Sequence, residues 1–463
     1  MTISDTPALS NLDMLRAMVA GDVFGPADQG YDEARRPWDL AVDQRPAVVV
    51  FAESVVDVVR AVRFARSQGL RIAPQGTGHG ALPLERLDDA MLLRTSRMRG
   101  VDIFPAIHTA RAEAGAQWED VTVPAGEHGL AALAGTSPNV GVTGYTLGGG
   151  IGWLARRYGL AANSVTAVEI VTVDGRLVRA DADHEPDIFW VVRGGGGSVG
   201  VVTAIEMTLY PVSELYAGAL FFPLERASEV LRAWRRWTDT VPDALTSLGR
   251  LLRMPPVDAV PEPLRGRAFV LIEAAYVGDR QSGAELVRPL RDLGPEIDTF
   301  ATIPAPALAQ LNMDPDVPTP GVGDGAFLST LPADAIDAIL ARVGPGAASP
   351  LQHVEIRHLG GALAREAPGA GAQPRIDAPY LIFAASVAPT PDLAEVARTR
   401  ARALKEALAP WHAGYDYYNF VEIPAEAAVV FPPASYQRLR EIKATYDPDQ
   451  AIISAHPVLA ARS

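Results

Sequence analysis

The sequence predicts an α+β protein of two domains, and three observations predict it. The chain has 463 residues, 48% of them hydrophobic, which is more than one core usually holds. Residues 45–76 read as a strand, a helix and a second strand. Beyond Pro211 the texture changes to amphipathic helices alternating with strand-like runs, the pattern of a mixed or antiparallel sheet covered by helices.

The first unit is explicit. "RPAVVVFAES" (45–54) gives a β-branched run, and Ser54 with Asp57 reads as a capping box ahead of Val55, Val56, Val59, Val62 and Phe64 at helical spacing. Gly69 closes the helix and "LRIAPQG" opens the next strand, which ends in "GTGHG", a histidine between two glycines. Further strands are expected at 108–116 and across 164–180, the latter a hairpin turned at Asp174-Gly175.

Between them, "GTSPNVGVTGYTLGGGIGWLARRYGLAANSV" (135–165) is too rich in glycine for a linker that also carries so many apolar residues. Glycine at this density forfeits backbone entropy, which close approach of main chain to a ligand would offset. "RGGGGSVG" (193–200) contains a G-x-G-x-x-G spacing, but a helix is expected before it (185–193) and a strand after it (201–210), the reverse of a nicotinamide-dinucleotide fingerprint. No Walker phosphate loop occurs. In 214–410 the expected helices are "ERASEVLRAWRRWTDTV", "PADAIDAILARV" and "DLAEVARTRARALKEALAPW", the expected strands "RAFVLIEAAYVG", "LQHVEIRHLGG" and "APYLIFAASVA", with loops at 304–323 and 365–374. The tail crowds aromatic residues in "YDYYNF" (415–420) ahead of a helix at about 434–445, which "YDPDQ" stops.

Composition narrows the partners. A net charge of −14 without a basic cluster opposes binding to nucleic acid or an anionic membrane, and nothing in the pattern fixes an oligomeric state. The absence of cysteine excludes disulfides, thiolate metal sites and a cysteine nucleophile, and no other metal site is read. No stretch is apolar enough to span a membrane, and the acidic opening "MTISDTPALSNLDML" is unlike a signal peptide, so a cytoplasmic location is expected.

Together "GTGHG", "PNVGVTGYTLGGG", "RGGGGSVGVVT" and "YYNF" with the following R-L, K and Y-D-P resemble the flavin-linked oxidases of the vanillyl-alcohol-oxidase superfamily, and within it the group similar to berberine bridge enzyme. The resemblance covers roughly residues 40–213 and the tail from about 411. It implies a two-part FAD-binding domain at 1–213 (core 40–213), a substrate-binding domain at 214–410 and a C-terminal segment, 411–463, returning to the FAD-binding domain.

It also implies roles. His79 corresponds to the family's histidine bonded covalently to the 8α-methyl of FAD. Ser137 stands where many relatives place a second, cysteinyl link, so attachment through His79 alone is expected. FAD contacts fall on Pro74, Gln75, Gly76, Thr77, Gly78 and Gly80; on Pro138, Val140, Gly141, Gly144, Tyr145, Gly149, Gly150, Gly152 and Asn163; on Gly200, Val201 and Val202; and on Asn419. Val140 marks an oxygen gate of oxidase type, and Tyr145 a hydroxyl near the flavin N1–C2=O edge.

Tyr417 matches the active-site base, with Arg357 or His358 stabilising its phenolate and lowering its pKa; strand alternation sends those two to opposite faces, so at most one faces the cleft. The implied reaction moves a hydride from a C–H bond of a small organic substrate (an alcohol, sugar or specialised metabolite) to FAD, which O2 reoxidises to give H2O2. A dehydrogenase using another acceptor, or a flavin-holding cyclase or isomerase without net O2 consumption, is the alternative.

Overall fold

The computed structural model describes residues 11–84, 87–258, 260–423 and 425–461, so the opening residues 1–10 lie outside the described residues. Four strands, β1 (Val23–Phe24), β2 (Val48–Phe51), β3 (Arg71–Gln75) and β4 (Ala90–Arg94), form a sheet in the order β1-β2-β4-β3. The helix Val55–Ser67 joins β2 to β3 as expected; its N-cap Ser54 accepts the Asp57 N–H at 3.3 Å. Its inner face, Val58, Ala61, Val62 and Ala65, is fully buried. The two strands it connects are not neighbours, because β4 lies between them and runs parallel to both. "AMLLR" earns that central place by being buried at all five positions.

A second, antiparallel sheet holds β5 (Val101–Phe104), β6 (Thr109–Glu113), β7 (Val165–Thr172), β8 (Leu177–Asp181) and β9 (Gly200–Thr208) in the order β5-β6-β9-β7-β8. Asp174-Gly175 makes the expected turn between β7 and β8. Helix Pro186–Val191 precedes the glycine run and β9 follows it, the order that argued against a dinucleotide fingerprint.

The third sheet is eight-stranded and antiparallel. It holds β10 (Glu214–Pro223), β11 (Leu245–Arg253), β12 (Ala268–Tyr276), β13 (Ile297–Asp298), β14 (Ala301–Pro304), β15 (Gly321–Leu328), β16 (His353–His358) and β17 (Tyr380–Val387). One face packs on helices Ala227–Thr238, Arg280–Arg291, Ala333–Val343 and Pro391–Ala407 through Leu220, Ile272 and Ile356 against Trp234, Val287, Ile339 and Leu404. The other face turns toward the first part of the chain: Leu248 and Ala275 pack with Trp153 and Leu154, and Phe327 and Leu381 with Ile151 and Tyr417. β15 begins inside the run expected to be loop; it is held as a strand by pairing along its whole length with β17.

The tail returns to the first two sheets. Helix Pro433–Tyr446 buries Leu439 and Ile442 among Ile188 and Val191, and the Ile72 N–H of β3 donates to the Ala451 carbonyl at 2.7 Å. No helix among the described residues is long and apolar enough to cross a membrane.

Candidate active site

The histidine loop leaves β3 at Gln75. Gly78 turns it with φ 88°, and a Cβ there would sit 2.7 Å from the Pro37 side chain, so both conformation and space require glycine. The Thr77 carbonyl accepts the Trp38 N–H at 2.9 Å, which lays the Trp38 indole flat on His79, with ring centroids 4.0 Å apart. Asn139 Nδ2 donates to the Pro315 carbonyl at 3.1 Å, so its Oδ1 is the acceptor facing His79 Nε2 at 3.2 Å. Nε2 therefore carries the proton, and Nδ1 accepts from the Thr77 hydroxyl at 2.8 Å. Burial pushes the imidazole down to about 4, against the opposing Asn139 contact, so His79 is neutral at physiological pH.

Ser137 donates to the Asp314 carboxylate, which Asn312 Nδ2 holds from its other oxygen at 2.7 Å. The 312–315 loop of the third sheet's connections thus covers the 136–139 segment. The Pro138 and Val140 carbonyls take the Glu119 and Trp118 N–H groups, and Gly141 leads into the short helix Val142–Leu147.

Tyr417 is the best-held side chain of the site. Its hydroxyl oxygen receives the Gly150 N–H at 3.0 Å, the Ile151 N–H at 3.1 Å and Asn419 Nδ2 at 3.1 Å. The second Asn419 hydrogen goes to the Tyr145 carbonyl at 3.0 Å, which orients the amide. Gly150 reaches this geometry with φ 80°. Burial raises the Tyr417 phenol to about 12, with Asn419, Arg357 and the two backbone N–H groups only partly opposing it. A value below that of free tyrosine was expected from sequence. The correction follows because a phenolate here loses all its water, while the nearest guanidinium is already committed to a carboxylate.

That guanidinium is Arg357. It pairs with Glu355 at 2.6 Å, donates to the Ile151 carbonyl at 3.1 Å and lies 4.8 Å from the Phe420 ring centroid. Burial disfavours the Glu355 anion, yet Arg357 and His353 hold its carboxyl down at about 2. His358 leaves the strand on the opposite side, as alternation requires. Its Nε2 meets Arg156 at 3.0 Å and its ring stacks on Tyr380, while burial and then Arg156 push it down to about 3. Of the two, Arg357 is the one brought to Tyr417.

Tyr145 stands edge-on to Trp118 at 5.4 Å with its hydroxyl buried and unpartnered, and burial raises its pKa well above the ordinary value. Other buried atoms without a partner lie on the same glycine-rich segments: Gln75 Oε1, Thr146 Oγ1, Asn163 Oδ1 and Ser198 Oγ. Such atoms call for a polar ligand running past them. Hydroxyls, amides and glycine N–H groups in this mixture fit the ribityl and phosphate oxygens of FAD. Around Gly200, the Val201 and Val202 side chains are buried, Val201 toward the first sheet and Val202 toward the second. Sequence reasoning missed Trp38, Asn312 and Asp314, which no local motif ties to the histidine loop; Phe420 was legible only as part of "YYNF".

Residues 46–181 match a family model described as an FAD binding domain. The chain is 35% identical over 192 residues to (R)-6-hydroxynicotine oxidase of Paenarthrobacter nicotinovorans, covering 42% of each chain. It is 28% identical over 454 residues to an uncharacterised FAD-linked oxidoreductase of Bacillus subtilis, covering 93% of this chain and 96% of the relative. Among solved structures it resembles 6-hydroxy-D-nicotine oxidase from Arthrobacter nicotinovorans, with a TM-score of 0.79 at 25% identity, covering 94% of this chain and 96% of that one. The chain spans about half the length of the curated relatives it matches first, 53% and 42%.

Proposed function

We propose, from the premise that the chain is an FAD-linked oxidoreductase of the vanillyl-alcohol-oxidase superfamily in its berberine-bridge-enzyme-like group, that it is an oxidase of a small organic substrate. FAD, when bound, supplies the two-electron acceptor for a hydride from a substrate C–H bond, with O2 as the final oxidant and H2O2 as product. The FAD-binding part is taken as residues 1–213 with the returning segment 411–463, and the substrate-binding part as 214–410.

The observation that carries the reading is the Tyr417 hydroxyl bonded into the glycine-rich run at Gly150 and Ile151, with Arg357 arriving from the third sheet. Tyr417 is the group placed to take a hydroxyl or amine proton from the substrate. To do so it must first stand as the phenolate, which the three N–H donors around its oxygen and the positive Arg357 stabilise against the burial that raises its pKa. Phe327 and Phe420 pack on the Tyr417 ring and exclude water there.

His79 is the proposed covalent attachment, and its neutral ring with Nδ1 carrying no proton is the nucleophilic form. Ser137, already bonded to Asp314, supplies no second link. Tyr145 would donate its free hydroxyl to the cofactor, and Val140 would border the path of O2. The test is an anaerobic screen of alcohols, sugars and amines for bleaching of the flavin absorbance, then O2 uptake and peroxide release with any substrate found. Reduction by substrate with stoichiometric peroxide supports an oxidase; reduction without O2 uptake assigns a dehydrogenase.

A further inference from the structure

His79 sits between two hydrogen-bond partners of unequal rigidity. At Nδ1 it meets the Thr77 hydroxyl at 2.8 Å, a group that can donate or accept and can turn aside about its Cα–Cβ bond. At Nε2 it meets Asn139 Oδ1 at 3.2 Å. Asn139 is buried and its other end is engaged, because Nδ2 donates at 3.1 Å to the Pro315 carbonyl, which can only accept. A neutral imidazole has one proton to place, and of its two partners the amide alone dictates where it goes. Trp38, stacked on the ring with centroids 4.0 Å apart, holds the plane in which both contacts lie.

Pro315 belongs to a loop anchored on the third sheet. Arg250 of β11, paired with Glu273 of β12 at 2.6 Å, donates to the Asn312 carbonyl at 2.8 Å. Asn312 Nδ2 donates to Asp314 at 2.7 Å, and Asp314 takes the Ser137 hydroxyl. Met313, between them, stands at φ 52°, a left-handed backbone that a residue with a side chain holds only where its surroundings enforce it. Bonded contacts thus run from the third sheet through residues 312–315 to the amide that faces His79. Without that amide the ring would reverse its polarity: a buried Nε2–H lacking an acceptor is costly, so the proton would move to Nδ1 and donate to Thr77, leaving no lone pair there.

We propose that Asn139, presented by the 312–315 loop, is a positioning residue for the covalent attachment of FAD: it keeps the His79 proton on Nε2, so that Nδ1 offers its lone pair to the 8α-carbon when Thr77 turns aside. This rests on the reading of His79 as the attachment point. The new bond joins Nδ1 to the 8α-carbon, whose methyl group releases one proton, and the alkylated ring then releases its Nε2 proton to solvent. The two electrons left on FAD pass to O2, which with two protons becomes H2O2.

The test starts from the full chain produced in flavin-starved cells and mixed with FAD in aerated buffer. Aliquots are acid-precipitated over time, and the flavin retained in the pellet gives the rate of attachment, while quenching of FAD fluorescence reports the binding that precedes it. Asn139→Leu is expected to bind FAD within about threefold of wild type yet attach it about ten- to hundredfold more slowly. Adding Thr77→Val removes the competing acceptor for an Nδ1 proton and should recover at least about threefold of that loss, a rescue that a merely structural role of Asn139 does not allow. Asp314→Ala, which unties the loop from Ser137, should slow attachment by a smaller factor. Nitrogen-15 NMR of the FAD-free wild type, with His79→Ala to identify the resonance, should show the ring protonated on Nε2, whether or not any other variant folds. Protonation on Nδ1, or attachment at the wild-type rate in Asn139→Leu, would overturn the inference. A wild type that binds FAD but never attaches it would overturn instead the reading of His79 on which the inference rests.

Discussion

The Tyr417 hydroxyl oxygen accepts the Gly150 backbone N–H at 3.0 Å, which bonds the chain's tail to a loop 267 residues earlier. Tyr417→Phe deletes that oxygen and strands the Gly150 and Ile151 N–H groups in the interior. The expected cost is about 1–3 kcal/mol of stability. Flavin reduction by a true substrate should slow by about 10² to 10⁴, while reoxidation by O2 stays near the wild-type rate. Stopped-flow measurement of the two half-reactions checks both, and a wild-type reduction rate in the variant would remove Tyr417 from the base role.

The same phenol sets a pH dependence. Burial holds it at about 12, so the phenolate grows as pH rises toward that value. The reduction rate should therefore still be climbing at pH 10. A plateau reached near neutral pH would mean that another group takes the proton.

Arg357 and Glu355 form a buried pair at 2.6 Å. Arg357→Met leaves the Glu355 charge without its main partner, and such a loss typically costs about 3–5 kcal/mol. Adding Glu355→Gln should recover a large part of that stability without restoring turnover. Denaturant unfolding of the single and double variants gives the coupling, and strictly additive losses would contradict the pairing.

His358 links stability to pH. Its folded value is about 3, below the ordinary 6.5, because burial and Arg156 disfavour its cation. The unfolded chain thus binds this proton first as pH falls, and the contribution is complete above pH 6.5 and lost between 6.5 and about 3. Within that window the residue adds a slope of about 1.4 kcal/mol per pH unit. His358→Gln, which can still accept from Arg156, should flatten the acid limb of the unfolding profile by that amount.

Much of this architecture is legible locally, because local chemistry decides it. Ser54 with Asp57 starts the first long helix, Asp174-Gly175 turns the β7–β8 hairpin, and the alternation after Gly200 makes β9 a strand. β11 and β15 are not legible in the same way. "LTSLGRLLR" and "GVGDGAFL" carry glycine and charge within the strand and become strands by pairing, with β12 and β16 for one and β17 for the other. Alternation shows that Arg357 and His358 diverge, but only the sheet's orientation decides which of them meets Tyr417. The Trp38 stack on His79 and the Asp314 contact with Ser137 join segments with no shared motif, so they emerge only from the fold.

Val140 and the lack of a second link at Ser137 lead to an expectation of fast reoxidation. Photoreduced enzyme mixed with aerated buffer should return to the oxidised spectrum faster than free reduced flavin. Reoxidation at the rate of free flavin would favour the dehydrogenase reading.

The central claim is that this chain carries FAD bound covalently through the neutral, Trp38-stacked His79. The most direct measurement is the intact mass of the protein after acid precipitation, beside His79→Ala. The account predicts a yellow pellet whose mass exceeds the chain by one FAD in the wild type, and a colourless pellet of bare chain mass in the variant. A colourless wild-type pellet, with all flavin in the supernatant, would contradict it.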